Sequence, residues 1–189
     1  MADRREHSGN DYDRTVTAAA TPAIDLLARS GIVYRLHAYA SPERHARDRD
    51  RRPSYGTDAA AALGLDPGRV FKTLVASVDE QMVLAVVPVD RELDLKRLAL
   101  AREGRKATLV DPTAAQRATG GVIGGISPLG SRRGLPVVID ASASEHPTVF
   151  VSAGRRGLQL ELAPGMPVFL TAKPEEAFVF PCRDRVCRS

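Results

Sequence analysis

Cysteine is nearly absent from this 189-residue chain: Cys182 and Cys187 are the only two, both within its last eight residues. Two cysteines with no matching His or Cys pair make a weak metal motif, and a chain end is a poor seat for a catalytic thiol. Both read as bystanders. Histidine is scarce too. His7 lies in a polar tail, His45 in a charged loop and His146 beside a proline, so only His37 falls in an expected strand. There is no G-x-S-x-G elbow, no H-E-x-x-H pair, no Walker loop and no G-x-G-x-x-G spacing. An enzyme built on this sequence would not use a Ser-His-Asp triad or zinc. No run approaches the roughly 18 apolar residues of a membrane helix. Residues 1–12 are polar and charged, which argues against a secretory signal. A cytoplasmic protein with no membrane contact is expected.

What is present is an ordinary globular composition, 43% apolar and 26% charged, long enough for one domain with a real core. Net charge is only +4, but the basic residues cluster. Lys96, Arg97, Arg102, Arg105 and Lys106 stand against Glu103 alone in one short segment, and Arg132-Arg133 and Arg155-Arg156 add further spots. Such clusters suit a polyanion, and they also suit a plain solvated face.

Residues 1–19 lack periodicity and read as a disordered tail. The domain is expected over 20–180, with a second tail at 181–189. Thr21 caps a first helix with Pro22 at its first position, Ile24, Leu27 and Ala28 facing the core, and Gly31 as its stop. Residues 32–40 alternate like a strand, and 41–54 form a charged, arginine-rich loop. Thr57 caps an alanine-rich helix that ends at Gly64. Strands follow at 70–75 and 82–87, joined as a hairpin through Asp79-Glu80. Asp94 caps a basic helix ended by Gly104, a short strand covers 107–110, and Asp111-Pro112 opens a helix running to Gly120. The rest is β-rich, at 137–140, 148–152, 158–162 and 168–170, with a helix-prone stretch at 174–178. Hairpins mixed with short helices predict a single α+β domain around a mixed, curved, barrel-like sheet.

Two features stand out. Lys72 is the one cation in the apolar strand from Val70 to Val75. It is either an edge-strand or snorkelling lysine or a binding or catalytic group in a pocket. The pair Gly124-Gly125 interrupts an apolar, strand-like segment. It is either a tight turn or a place where backbone N–H groups meet a carbonyl, as in an oxyanion hole.

The motifs from Thr21 to Leu27, Leu36-His-Ala-Tyr39, Val-Phe-Lys72-Thr73-Leu-Val, Gly124-Gly125-Ile-Ser127-Pro-Leu-Gly and Val-Ser152-Ala-Gly-Arg-Arg-Gly-Leu occur in that order. Together with Glu161-Leu-Ala-Pro they resemble the YbaK/EbsC family of cysteinyl-tRNA(Pro) deacylases, within the prolyl-tRNA editing superfamily. The resemblance runs from about Thr21 to Phe178. It implies hydrolysis of cysteine wrongly attached to tRNA(Pro), without a cofactor, by attack of the substrate's own thiol on its ester. It further implies that Lys72 and Tyr39 position the substrate and that Gly124 and Gly125 offer backbone amides. Tyr55 would stack on the terminal adenine, with Ser127 and Ser152 at the pocket and Thr73 adding a hydroxyl if the backbone twists there, and the basic helix at 96–106 would hold phosphates. Prolyl-tRNA synthetase is the expected partner. The loop at 41–54 is longer and richer in arginine than the family pattern. Alternatives are removal of alanine through the ribose hydroxyl, and a catalytically silent tRNA- or synthetase-binding module.

Overall fold

The computed structural model describes residues 20–41 and 55–164, together with the backbone of a strand at Phe178–Phe180. Both tails, residues 42–54 and the strand expected at 168–170 lie outside the described residues. Helix α1 (Pro22–Arg29) starts as its cap predicts, with Thr21 Oγ1 accepting the Ile24 N–H at 3.3 Å. The same hydroxyl donates to Ala153 O, which ties the helix start to a later strand end. Its core face is rotated from expectation: Ala23 and Leu27 are buried and Ala28 is exposed. The i, i+4 pair 23/27 centres the stripe, so position 28 falls on the solvent flank.

Two sheets follow. Strands β1 (Tyr34–Ala38), β6 (Val149–Ser152) and β7 (Leu158–Leu162) make an antiparallel sheet in the order β1-β7-β6. Strands β2 (Phe71–Val78), β3 (Gln81–Pro88), β4 (Ala107–Leu109), β5 (Val137–Asp140) and β8 (Phe178–Phe180) make a mixed sheet in the order β4-β2-β3-β5-β8. A parallel bridge between Val70 and Phe150 links them. The α+β, mixed-sheet expectation holds, with the sheet divided in two at that bridge. Phe178 stands in a strand rather than at the end of a helix, pairing in parallel with Val138.

The β2–β3 hairpin turns through Asp79 (φ 44°) and Glu80 (φ 72°), the left-handed pair that a two-residue turn of matching twist requires. Asp79 secures the turn by accepting the N–H groups of Arg105 at 2.8 Å and Lys106 at 3.0 Å. Those two bonds hold its carboxyl below the usual aspartate range. β3 is buried on both faces because each face has a cover. One packs into the main core with Leu27, Val151 and Leu160, and the other lies under α3 (Leu95–Ala101) through Leu98 and Ala99.

Two helix boundaries differ from the sequence reading. α2 (Tyr55–Leu63) begins two residues before Thr57, so Tyr55 opens the helix. α3 stops at Ala101, and Glu103 (φ 54°) takes the left-handed position expected of Gly104. The Gly104 N–H reaches Ala99 O at 2.8 Å and the Glu103 N–H reaches Leu100 O at 3.0 Å, closing a Schellman end. Gly104 is glycine for a packing reason, since a Cβ there would lie 2.3 Å from Val78 Cγ1. α4 (Pro112–Thr119) runs as expected from the Asp111 cap to Gly120 (φ 76°).

Candidate functional site

β2 is flanked on both sides, by β3 on one and by β4 and the Phe150 bridge on the other. Lys72 itself lies between those two attachments, paired with Val87 of β3 alone among the described residues, so the edge-strand reading stands beside the pocket reading. Lys72 is half-buried, on the strand face of Val70 and Leu74, and its Nζ donates to Val89 O at 3.4 Å. Val89 in turn is anchored by its N–H on Val70 O at 2.8 Å. It also marks where α2 begins: a Cβ on Gly56 would sit 2.3 Å from Val89 Cγ1 and 3.8 Å from Lys72 Cβ. The start of α2 thus lies directly against the lysine.

Tyr55, one residue earlier, reaches the glycine pair. A Cβ on Gly124 would fall 2.5 Å from Tyr55 Cγ, so the ring lies on bare backbone. The pair is a turn and not part of a strand. Gly125 N–H donates to Val122 O at 2.8 Å, and Gly124 at φ 82° occupies the third position, where a type II turn needs glycine. The Gly125 amide is committed to that bond, so the Gly124 amide is the better placed of the two to meet a substrate carbonyl. The turn is pressed from behind, because a Cβ on Gly125 would lie 2.9 Å from the Arg155 carbonyl carbon and the Arg156 nitrogen. Arg156 completes the junction. Its Nε donates to Ile123 O at 2.8 Å and its guanidinium stands 4.7 Å from the Tyr55 ring centroid.

Tyr39 joins from the other side. It follows β1, is half-buried, and its N–H donates to Gly157 O at 2.9 Å, one residue beyond Arg156. Contacts therefore run from Lys72 through Val89 and Gly56 to Tyr55, Gly124 and Arg156, and on to Gly157 and Tyr39. The remaining expected residues have more local settings. Ser127 is buried and its Oγ accepts the Leu129 N–H at 3.1 Å, so that oxygen works within its own loop. Ser152 Oγ accepts from Gly154 N–H at 3.3 Å. Thr73 Oγ1 is buried with no hydrogen-bond partner among the described residues.

Gln159 escaped the sequence reading. It is 6% exposed, and its Oε1 has no partner among the described residues. It stands between His37 of β1 and Ser152 of β6 in register. The alternation of Leu158, Gln159 and Leu160 already placed it on the face opposite the core. A buried orphan acceptor beside the site is a candidate ligand contact. Its neighbour Glu161 is fully engaged, accepting from Thr148 Oγ1 at 2.7 Å and meeting His37 Nε2 at 2.9 Å. Burial works against its charge, but those bonds and the charges of His37 and Arg35 outweigh it and hold its carboxyl below the usual range.

The basic segment is split by the fold. Lys96 and Arg97 sit in the first turn of α3, with Arg97 Nε 3.5 Å from Asp94 Oδ2. Arg105 and Lys106 line an open groove of about 780 Å³ with Asp79, Glu80 and Glu103. That groove adjoins the hairpin turn, at the far end of β2 from Lys72, roughly 20 Å away at the usual strand rise. Its balance of signs does not make a phosphate track. Among the described residues no group of three or more His, Cys, Asp or Glu could hold a metal ion. None of the helices among them is long and apolar enough to cross a membrane. The site therefore offers a cation, two aromatic rings, a backbone turn and hydroxyls, a set suited to binding and polarising an ester.

Comparison with known proteins agrees with that chemistry. The aminoacyl-tRNA editing domain model matches residues 54–166. A protein of Enterococcus faecalis provisionally named Cys-tRNA(Pro)/Cys-tRNA(Cys) deacylase EbsC is 33% identical over 156 residues, covering 82% of this chain and 90% of that protein. A proline–tRNA ligase of Moorella thermoacetica is 33% identical over 98 residues, which cover 52% of this chain and 17% of the ligase. Among solved structures, one described provisionally as a trans-editing enzyme for prolyl tRNA synthetase superposes with a TM-score of 0.67 at 21% identity, covering 87% of this chain and 98% of that one. The hypothetical protein APE2540 gives 0.68 at 21% identity, covering 80% and 94%. The chain belongs to the aminoacyl-tRNA editing domain family, in its YbaK/EbsC branch.

Proposed function

We propose that this chain, an aminoacyl-tRNA deacylase by family, removes cysteine from tRNA(Pro) in the cytoplasm. The observation that supports the reading is the chain of contacts that leads from Lys72 through Val89 and Gly56 to the start of α2, and from Tyr55 to Gly124 and Arg156. Similarity to EbsC over most of both chains supports cysteine as the amino acid. The need for such an enzyme is physical. A proline-sized synthetase pocket rejects a smaller amino acid by only about 1–3 kcal/mol per methylene, so a second site must clear the errors.

In this reading the substrate supplies the nucleophile. Its thiol sulfur adds to the ester carbonyl, the ester C–O bond breaks, and the proton passes from sulfur to the departing ribose oxygen. The products are a cyclic thiolactone and free tRNA. Lys72 and Tyr39 hold the ester and ribose, and the Gly124 amide steadies the charge that develops on the carbonyl oxygen. The Gly125 amide adds to this only if the turn opens. Tyr55 meets the terminal base, with Thr73, Ser152 and Ser127 lining the amino-acid end. Similarity to part of a proline–tRNA ligase supports prolyl-tRNA synthetase as the partner that supplies tRNA identity.

The test is release of amino acid from Cys-tRNA(Pro) and Ala-tRNA(Pro) by wild type and Lys72→Ala, with the product identified. Loss of cysteine only, as thiolactone, abolished by the substitution, is expected. Loss of alanine would move the reaction to the ribose hydroxyl. No hydrolysis of either would leave a binding module. Addition of prolyl-tRNA synthetase should sharpen selectivity for tRNA(Pro), and unchanged selectivity would remove it as partner.

A further inference from the structure

The loop joining β6 to β7 carries two arginines to which the proposed reaction gives no role. Arg155 and Arg156 are both exposed, yet Arg156 is not a free surface side chain. Its backbone is packed where a Cβ on Gly125 would fall, its Nε is bonded to Ile123 O at 2.8 Å, and its guanidinium stands 4.7 Å from the Tyr55 ring centroid. Holding an exposed arginine in one geometry costs it rotamer freedom. One hydrogen bond and one exposed cation–π contact return about as much, and little more. The result is a fixed fork whose two Nη groups make no hydrogen bond among the described residues. A planar fork of that kind matches the two free oxygens of a phosphate.

We propose that Arg156 binds the phosphodiester that precedes the terminal nucleotide of the aminoacylated RNA. The proposal rests on the deacylase reading, because it takes the ester to lie at Gly124 and the terminal base near Tyr55. A guanidinium held against both then sits within one nucleotide of the scissile bond, where the substrate carries its first backbone charge. Arg156 is in this view the anchor that sets how far the 3′ end enters. It also means that one face of Tyr55 is already occupied by a cation, so the base uses what the guanidinium leaves open.

Two substrates that differ by that phosphodiester provide the test: the cysteinyl ester of adenosine and the cysteinyl ester of the dinucleotide CpA. The ratio of kcat/KM for CpA to that for adenosine should fall about tenfold in Arg156→Gln, chiefly through KM. Arg156→Lys, which keeps the charge and loses the fork, should fall in between. Arg29→Gln, which removes an equal charge from exposed α1, should leave the ratio alone. An equal loss on both esters would mean that Arg156 only braces Tyr55 and Ile123, and no loss on either would remove it from the site. Both outcomes overturn the proposal. If wild type cleaves neither ester, activity on Cys-tRNA(Pro) decides the deacylase reading separately, because truncated substrates lose kcat. Fluorescence anisotropy with an uncharged minihelix ending in CCA then decides on Arg156: weaker binding by Arg156→Gln is expected, and unchanged binding overturns it.

Discussion

Tyr55 lies on Gly124 so closely that a Cβ at position 124 would be 2.5 Å from Tyr55 Cγ. The contact joins the first residue of α2 to a turn nearly seventy residues later, and it requires glycine twice over, for space and for φ of 82°. Gly124→Ala should therefore cost about 1–2 kcal/mol for the left-handed backbone, plus a further term for moving the ring. In a Tyr55→Ala background only the backbone cost should remain. Denaturant melts of the four proteins in this cycle measure the coupling, and a coupling of zero would show that the ring yields freely. Deacylation should drop in Gly124→Ala by more than the stability change explains if the Gly124 amide faces the substrate carbonyl as proposed, because that amide moves with the turn.

Thr73 makes a cleaner separation of folding from function. Its buried Oγ1 has no partner among the described residues, so the folded protein gains nothing from the hydroxyl. Thr73→Val, nearly the same shape, should leave stability within about 0.5 kcal/mol or raise it. If the hydroxyl meets the substrate, kcat/KM falls about tenfold. A destabilised variant would point to a hidden partner in the folded state, and full activity would remove Thr73 from the site.

Glu161 has a pH signature. Its carboxyl is held below the ordinary glutamate range despite burial, by Thr148 and His37 and by the charges of His37 and Arg35. A depressed folded pKa means the stabilisation is present above the unfolded pKa and is lost as pH falls through the folded one. Glu161→Gln should therefore cost about 1–2 kcal/mol at neutral pH. The difference from wild type should shrink on acidification through the carboxylate range. Melts at neutral pH and near pH 3 settle it, and a gap that stays constant with pH would show that the charge contributes nothing.

Much of this was legible because local rules were obeyed. Thr21, Asp94 and Asp111 all cap helices as their positions predict, and Asp79-Glu80 forms the predicted hairpin turn. What misled was glycine, whose two uses look alike in a sequence. Gly104 was read as a helix stop, but Glu103 takes the left-handed position while Gly104 makes room for Val78. The pair Gly124-Gly125 resembles an interrupted strand because its neighbours are apolar, whereas it lies in a turn-rich loop in which Ile126 and Leu129 are buried and Val122 is exposed. Lys72 and Tyr39 become candidates through motif order, since spacing alone leaves Lys72 open. What makes Gln159 and Arg156 candidates has no sequence signal: an unpaired Oε1 and a guanidinium above a ring exist only once distant segments have met.

Gly56 carries that last point into an experiment that touches no expected substrate contact. It sits in the first turn of α2, where alanine would ordinarily gain about 1 kcal/mol over glycine. Here a Cβ would lie 2.3 Å from Val89 Cγ1, and the carbonyl of Val89 is the acceptor for Lys72 Nζ. Gly56→Ala must push α2 and Val89 apart, so it should destabilise the fold and lower kcat/KM by misplacing the lysine. Removing the obstructing methyl groups with Val89→Ala should relieve the strain, making the double variant more active than Gly56→Ala alone although Val89→Ala itself leaves a cavity. If the two substitutions simply add, the start of α2 does not set the position of Lys72, and the link from helix to lysine is broken.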